Sequence, residues 1–187
     1  MRKPAKDRTQ ILRELTEVFR AHGYNGTTLS KLTQGTGLER ASLYHYFPGG
    51  KRAMAEAVLK SVVEQLGANV IGALEGEAPA PARLEAMLQA TSDFYNGGEE
   101  LCFVSIFAIG EDSEHLASTL REAVSGWVDA LTRTLADAGH DDAAGLANAS
   151  LACIQGALVL AGVTHDAKPF RDALAFLRSA WGIATAS

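Results

Sequence analysis

Cysteine is scarce in this chain: Cys102 and Cys153 are its only two, 51 positions apart in apolar surroundings. They form neither a disulfide framework nor a metal ribbon, which fits a reducing compartment. No uninterrupted apolar run approaches the roughly 20 residues of a membrane-spanning helix. The start, "MRKPAKDRTQILRELTEVF", has neither the apolar segment nor the small-residue cleavage site of a signal peptide. The expectation is a cytoplasmic protein with no membrane partner. Alternating apolar and polar runs of the strand type are missing, and so are HExxH, GxSxG and any glycine-rich phosphate loop. The five histidines are scattered, and His140-Asp141-Asp142 and His165-Asp166 read as solvent loops. A metal site needs three or four convergent ligands. No metal, no cofactor and no enzymatic activity is expected.

The charge is unevenly spread. The net charge is −5, yet residues 1–60 hold eleven Lys/Arg against five Asp/Glu, while the remainder holds six against seventeen. A basic front on an acidic body points to an N-terminal part that meets an anion and a body that does not.

Apolar residues make up 47% of the chain, enough for a packed core, and their spacing is helical. Ile11, Leu12, Leu15, Val18 and Phe19 form one face of a first helix that Gly23 ends. Thr27 or Thr28 can cap a short helix, "LSKLTQGTG", that stops at Gly35 and Gly37. A second short helix, "ERASLYHYF", ends before Pro48-Gly49-Gly50, and a longer one runs over 51–74. "EGEAPAPAR" is the clearest break. Beyond it the pattern predicts helices at about 81–96, 102–110, 114–138, 142–163 and 169–185. The fold class is all-α, with about nine helices. The expected domains are 1–50 and 51–187, with 51–74 as the connecting helix.

Aromatics are 7% of the chain, so Tyr44, Tyr46 and Phe47 in "LERASLYHYFPGG" are a conspicuous cluster. Wound at 100° per residue, the helix puts Leu43 and Phe47 on the core side with Tyr46 at the border. Arg40, Ala41, Ser42, Tyr44 and His45 fall on the other side. Two short helices joined by a tight glycine turn match a helix-turn-helix, whose second helix enters the major groove. Arg40 could reach a guanine edge, Ala41 and Ser42 allow close approach, and Tyr44 could meet a thymine methyl or a phosphate. Thr28 at a helix start and Lys51 at the head of the next helix suit phosphates.

These residues resemble the DNA-binding region of the TetR family of bacterial transcriptional regulators. The shared elements are Phe19, Gly23, Thr27-Thr28, Leu32, Gly37, the run Leu43-Tyr44-His45-Tyr46-Phe47, and Lys51. One extra residue separates Phe47 from Lys51, as in a subgroup with Pro-Gly-Gly. The resemblance implies a three-helix DNA module, then a helical domain with a small-molecule pocket and a dimer interface. By position, Thr28, Lys51 and Tyr44, His45 and Tyr46 match phosphate contacts, while Arg40, Ala41, Ser42 and Tyr44 match base-facing places. The partners implied are a palindromic double-stranded operator, a second copy through helices at about 142–163 and 169–185, and an unidentified effector. A repressor is the expected role.

In the body, the apolar middle helices read first as core, and as a group could line a ligand cavity. Candidate ligand residues are Thr91, Phe94, Tyr95, Phe103, Phe107, Trp127 and Gln155, with Ser105 as a further polar anchor. Cys102 stands at a helix start beside Glu99 and Glu100, whose effects on a thiol oppose one another. A buried inert thiol and an electrophile or oxidant sensor are both readings of it. An all-α ligand carrier or enzyme, and a non-specific architectural DNA binder, complete the alternatives.

Overall fold

The computed structural model describes residues 6–100, 102, 106–107 and 114–183. Among these there are eight α-helices and no strand: α1 Arg8–Gly26, α2 Leu29–Thr36, α3 Arg40–Tyr46, α4 Gly50–Leu66, α5 Ala80–Phe94, α6 Glu114–Asp137, α7 Ala143–Thr164 and α8 Lys168–Ala180. The all-α expectation holds. The predicted helix over 102–110 lies mostly outside the described residues, of which only Ile106 and Phe107 are helical there.

The helix expected over 51–74 is not one regular element. It ends as an α-helix at Leu66, tightens into a π-helical turn, Gly67–Ile71, and closes as a 3-10 turn, Gly72–Leu74. Glycines at 67 and 72 hold helical geometry weakly, and the Gly72 N–H donates back to the Gly67 carbonyl.

The chain forms two compact units. One takes in residues up to Val63 together with the described residues of 103–119; the other runs from Glu64 to Cys102 and resumes at Leu120. In the first unit Ile11, Leu15, Phe19, Leu32, Leu43, Met54 and Val58 are fully buried. Each contributes about 1.5–3 kcal/mol by leaving water. Phe107 joins this core, its ring 5.6 Å from Phe19 and 6.5 Å from Tyr24.

In the second unit Leu84, Met87, Trp127, Leu135, Ile154 and Phe170 lie at the centre. Two arginines tie its helices together. Arg178 of α8 donates two hydrogen bonds of 2.7 Å to the Glu85 carboxylate of α5. Those bonds hold the Glu85 pKa below the usual carboxylate value, against a smaller opposing effect of burial. Arg83 donates to the Ala78 and Leu74 carbonyls at 2.9 Å and to Asp137 at 2.7 Å, pinning the loop before α5 to the end of α6. Gly98 has φ +100°, and a Cβ there would lie 2.7 Å from Phe170.

Helix α7 starts at Asp142, whose carboxylate accepts the Gly145 N–H at 3.0 Å, a cap worth about 1 kcal/mol. It carries no charged residue over its 22 positions. By length and composition alone α7 and the stretch Gly50–Leu74 are apolar enough to cross a membrane. The uninterrupted-run criterion missed both because Asn148, Ser150 and Gln155 break up the sequence of α7, and charges break up 50–74. In α7 Ala147, Leu151, Ile154, Leu158 and Ala161 are buried within the chain, while Val159, Leu160 and Val163 face outward.

Candidate nucleic-acid interface

Helix α2 begins at Thr28, whose hydroxyl oxygen accepts the Lys31 N–H at 3.3 Å. Thr27 is turned inward and donates its hydroxyl to the Gly23 carbonyl at 2.6 Å, so Thr28 is the cap and stays exposed. The turn into α3 rests on Gly37, in the left-handed region at φ +61°, which glycine adopts without strain. Buried Thr36 steadies that turn: its hydroxyl donates to the Leu32 carbonyl at 2.7 Å and accepts the Leu38 N–H at 3.3 Å.

Leu43 and Phe47 anchor α3 to the core. Opposite them Arg40, Ala41, Tyr44 and His45 are exposed, with Ser42 half-buried. Tyr44, 44% exposed, stands over Gly50, where an added Cβ would come 3.4 Å from its ring. The Pro48-Gly49-Gly50 link thus redirects the chain and leaves room for that ring.

Among the described residues, two of the eight nominated side chains donate hydrogen bonds to backbone carbonyls far away in the sequence. The Tyr46 hydroxyl donates to the Lys6 carbonyl at 3.2 Å. The Lys51 ammonium donates to the Tyr24 carbonyl at 3.1 Å and lies 4.4 Å from the Tyr24 ring centroid. Lys6 in turn pairs with Glu14 at 2.6 Å and with the Thr36 carbonyl at the end of α2. This strap links residues 40 positions apart, and short-range periodicity carried no signal of it. A groove of about 330 Å³ opens between α2 and α3, lined by Leu29, Ser30, Thr33, Glu39 and Arg40. Ser30, Thr33 and Glu39 were missed in the sequence. The first two share one face of α2 at i, i+3 spacing, a signal that was there to be used.

The candidate ligand residues divide. Phe107 belongs to the first unit, against Phe19 and Tyr24. Thr91, Phe94, Tyr95, Trp127 and Gln155 belong to the second. Phe94 and Tyr95 meet edge to face at 5.0 Å, and Tyr95 meets Phe170 at 6.1 Å. Thr91 donates its hydroxyl to the Met87 carbonyl of its own helix. The Trp127 indole N–H is buried and has no hydrogen-bond partner among the described residues. Phe103 and Ser105 lie outside the described residues. Cys102 is buried, and its thiol donates to the Gln155 side-chain carbonyl. Burial pushes the Cys153 thiol pKa up. Among the described residues no group of three or more His, Cys, Asp or Glu could hold a metal.

Residues 11–58 match the family described as bacterial regulatory proteins, tetR family. Residues 80–175 match the C-terminal domain of LmrA/YxaF-like transcriptional regulators. The chain is similar to the HTH-type transcriptional regulator LmrA of Bacillus subtilis, with 23% identity over 87% of this chain and 89% of that one. It is also similar to Rv0196 of Mycobacterium tuberculosis, an uncharacterised HTH-type transcriptional regulator, with 29% identity over 81% and 82%. Among solved structures, a TetR transcriptional regulator from Legionella pneumophila superposes with a TM-score of 0.78 at 17% identity, covering 96% of this chain and 99% of that one. A cysteine mutant of the TetR family regulator CifR, complexed with 26-base-pair operator DNA, superposes with a TM-score of 0.76 at 24% identity, covering 99% and 100%. With the helix-turn-helix geometry and both family matches in hand, the chain belongs to the TetR family of bacterial transcriptional regulators, with a C-terminal domain of the LmrA/YxaF-like kind.

Proposed function

We infer that the protein is a ligand-responsive transcriptional repressor that binds a palindromic operator as a homodimer and is released by a small, largely apolar effector. It is a cytoplasmic regulator, not an enzyme, and uses no cofactor. The observation that carries the DNA reading is the exposed face of Arg40, Ala41 and Tyr44 on a short helix whose opposite face is buried. Arg40, Ala41, Ser42 and Tyr44 read bases, and Thr28, His45, Tyr46 and Lys51 hold the backbone. With one donor on Tyr24, the Lys51 ammonium keeps two for a phosphate. The Pro-Gly-Gly link is what supports placing the chain in a subgroup with that insertion.

Residues 1–50 act as the DNA-binding domain and 51–187 as the ligand-binding and dimerisation domain, with 51–74 connecting them. Dimerisation is supported by a charge-free outer face on α7. Gly145, Ala149, Ala152, Gly156, Leu160 and Val163 recur at three- and four-residue spacing, and all are exposed in the single chain. Phe176 of α8, 63% exposed, adds an aromatic ring. Small residues let two copies of such a helix approach closely, and a twofold protein matches a palindromic site. Thr91, Phe94, Tyr95, Trp127 and Gln155 remain the effector residues. The unmatched Trp127 N–H favours an effector that carries a hydrogen-bond acceptor. The effector binds better to the form that does not fit DNA, and operator affinity falls by that difference.

The test is a selection of bound fragments from host DNA at about 0.15 M salt, where non-specific binding is weakened, using protein unfolded and refolded to strip any effector. Enrichment of one short inverted repeat is expected. Uniform recovery of fragments refutes a sequence-specific regulator.

A further inference from the structure

The α2–α3 groove contains a carboxylate that phosphate binding does not explain. Residues 1–60 hold five acidic side chains. Glu14, Glu17 and Glu56 each sit against a cation: Lys6 at 2.6 Å, Arg20 at 3.2 Å and Arg52 at 3.0 Å. Of the other two, Asp7 is exposed before α1 and does not line the groove. Glu39 alone stands on it, beside Arg40 and across from Ser30 and Thr33. It is exposed. It occupies the residue before α3, where a side chain could cap the helix, yet it makes no capping bond. Among the described residues neither Glu39 nor Arg40 has a side-chain hydrogen bond or ion pair.

A free carboxylate on a face built to meet polyanionic DNA weakens binding through its repulsion of phosphates. It helps only where a donor waits, and in the major groove the donors are the exocyclic amino groups, cytosine N4 above all for an acid. Its neighbour Arg40 suits guanine O6 and N7. Resting on the DNA-binding reading above, we propose that Glu39 is a specificity-determining residue that accepts a hydrogen bond from a cytosine N4 amino group. With Arg40 on guanine, the two side chains select G·C content under the start of the recognition helix. The same charge loosens the grip on every unmatched sequence.

The experiment uses the full chain and three kinds of duplex: the inverted repeat recovered by selection, its single-base-pair variants across one half-site, and a scrambled duplex of equal length. Wild type, Glu39→Ala and Glu39→Gln are compared by fluorescence anisotropy at several salt concentrations, after circular dichroism establishes equal helix content. In Glu39→Ala the preference at one cytosine position should fall about tenfold while other positions keep theirs. The scrambled duplex should bind about two- to threefold tighter. Glu39→Gln preserves size and fold but adds donors, so preference at that position should move toward adenine. Unchanged preferences in both variants, or equal losses at every position, overturn the proposal. If wild type holds all duplexes alike, the helix-turn-helix reading fails first and takes this one with it.

Discussion

Leu160→Ala tests the twofold assembly on a side chain that the single chain leaves 56% exposed. The substitution removes three methylene-sized groups, each worth about 0.8 kcal/mol when fully buried. With roughly half of that burial left for a second copy to supply, each copy loses about 1.3 kcal/mol. Twofold symmetry counts the loss twice, giving about 2.7 kcal/mol and a roughly 100-fold rise in the dimer dissociation constant. The monomer should be nearly indifferent, within about 0.5 kcal/mol, because its own core does not enclose the residue. Sedimentation equilibrium over a range of concentrations measures association, and thermal melting at high concentration measures the fold. Operator affinity at low protein concentration should fall in step with dimerisation. An unchanged dimer constant, or a loss of folding equal to the loss of association, refutes the assignment of this face.

Arg40→Ala should cost about 1–3 kcal/mol on the selected operator and relax one position, whereas Lys51→Ala should weaken all sequences alike and reduce the salt slope by about 1. Anisotropy titrations against salt separate the two, and identical behaviour of both variants refutes the division of roles. Glu85→Gln should matter only above the acid range. A carboxylate with a lowered folded pKa stabilises at pH values above its unfolded value of about 4.3, and that contribution disappears as pH falls through the folded value. Urea melts should therefore show wild type ahead near neutral pH by less than about 1 kcal/mol, since the pair is partly exposed. The two should converge near pH 2, and a gap that widens in acid contradicts the assignment. Gly98→Ala should lower the melting temperature by several degrees: φ is +100° and the new methyl meets Phe170, at a cost of about 1–3 kcal/mol. A melting temperature equal to wild type would show that the loop shifts freely.

The DNA-reading module was legible because each of its signals is local. Leu43 and Phe47 are one helical turn apart, Gly37 marks a positive φ, and Thr28 caps within three residues. What could not be read depends on partners far along the chain. An apolar helical face announces burial without naming what buries it, so Phe107 reads first as core, while its partners Phe19 and Tyr24, far along the chain, go unnamed. Tyr46 reads as a border residue, and its tie to the Lys6 carbonyl spans 40 positions. The π-helical turn at Gly67–Ile71 leaves the apolar spacing almost intact, so the pattern continued through a real change of geometry.

The way Phe107 is used bears on how such regulators are recombined. Cutting this chain once, after Gly50 or after Val63, and grafting the front onto another body would remove the ring that covers Phe19 and Tyr24, along with buried Leu116. A hybrid that keeps this first compact unit whole must inherit two separate pieces of sequence, 1–63 and 103–119. The compact unit that carries the helix-turn-helix is therefore discontinuous in sequence, and exchange between relatives by a single crossover leaves its core incomplete.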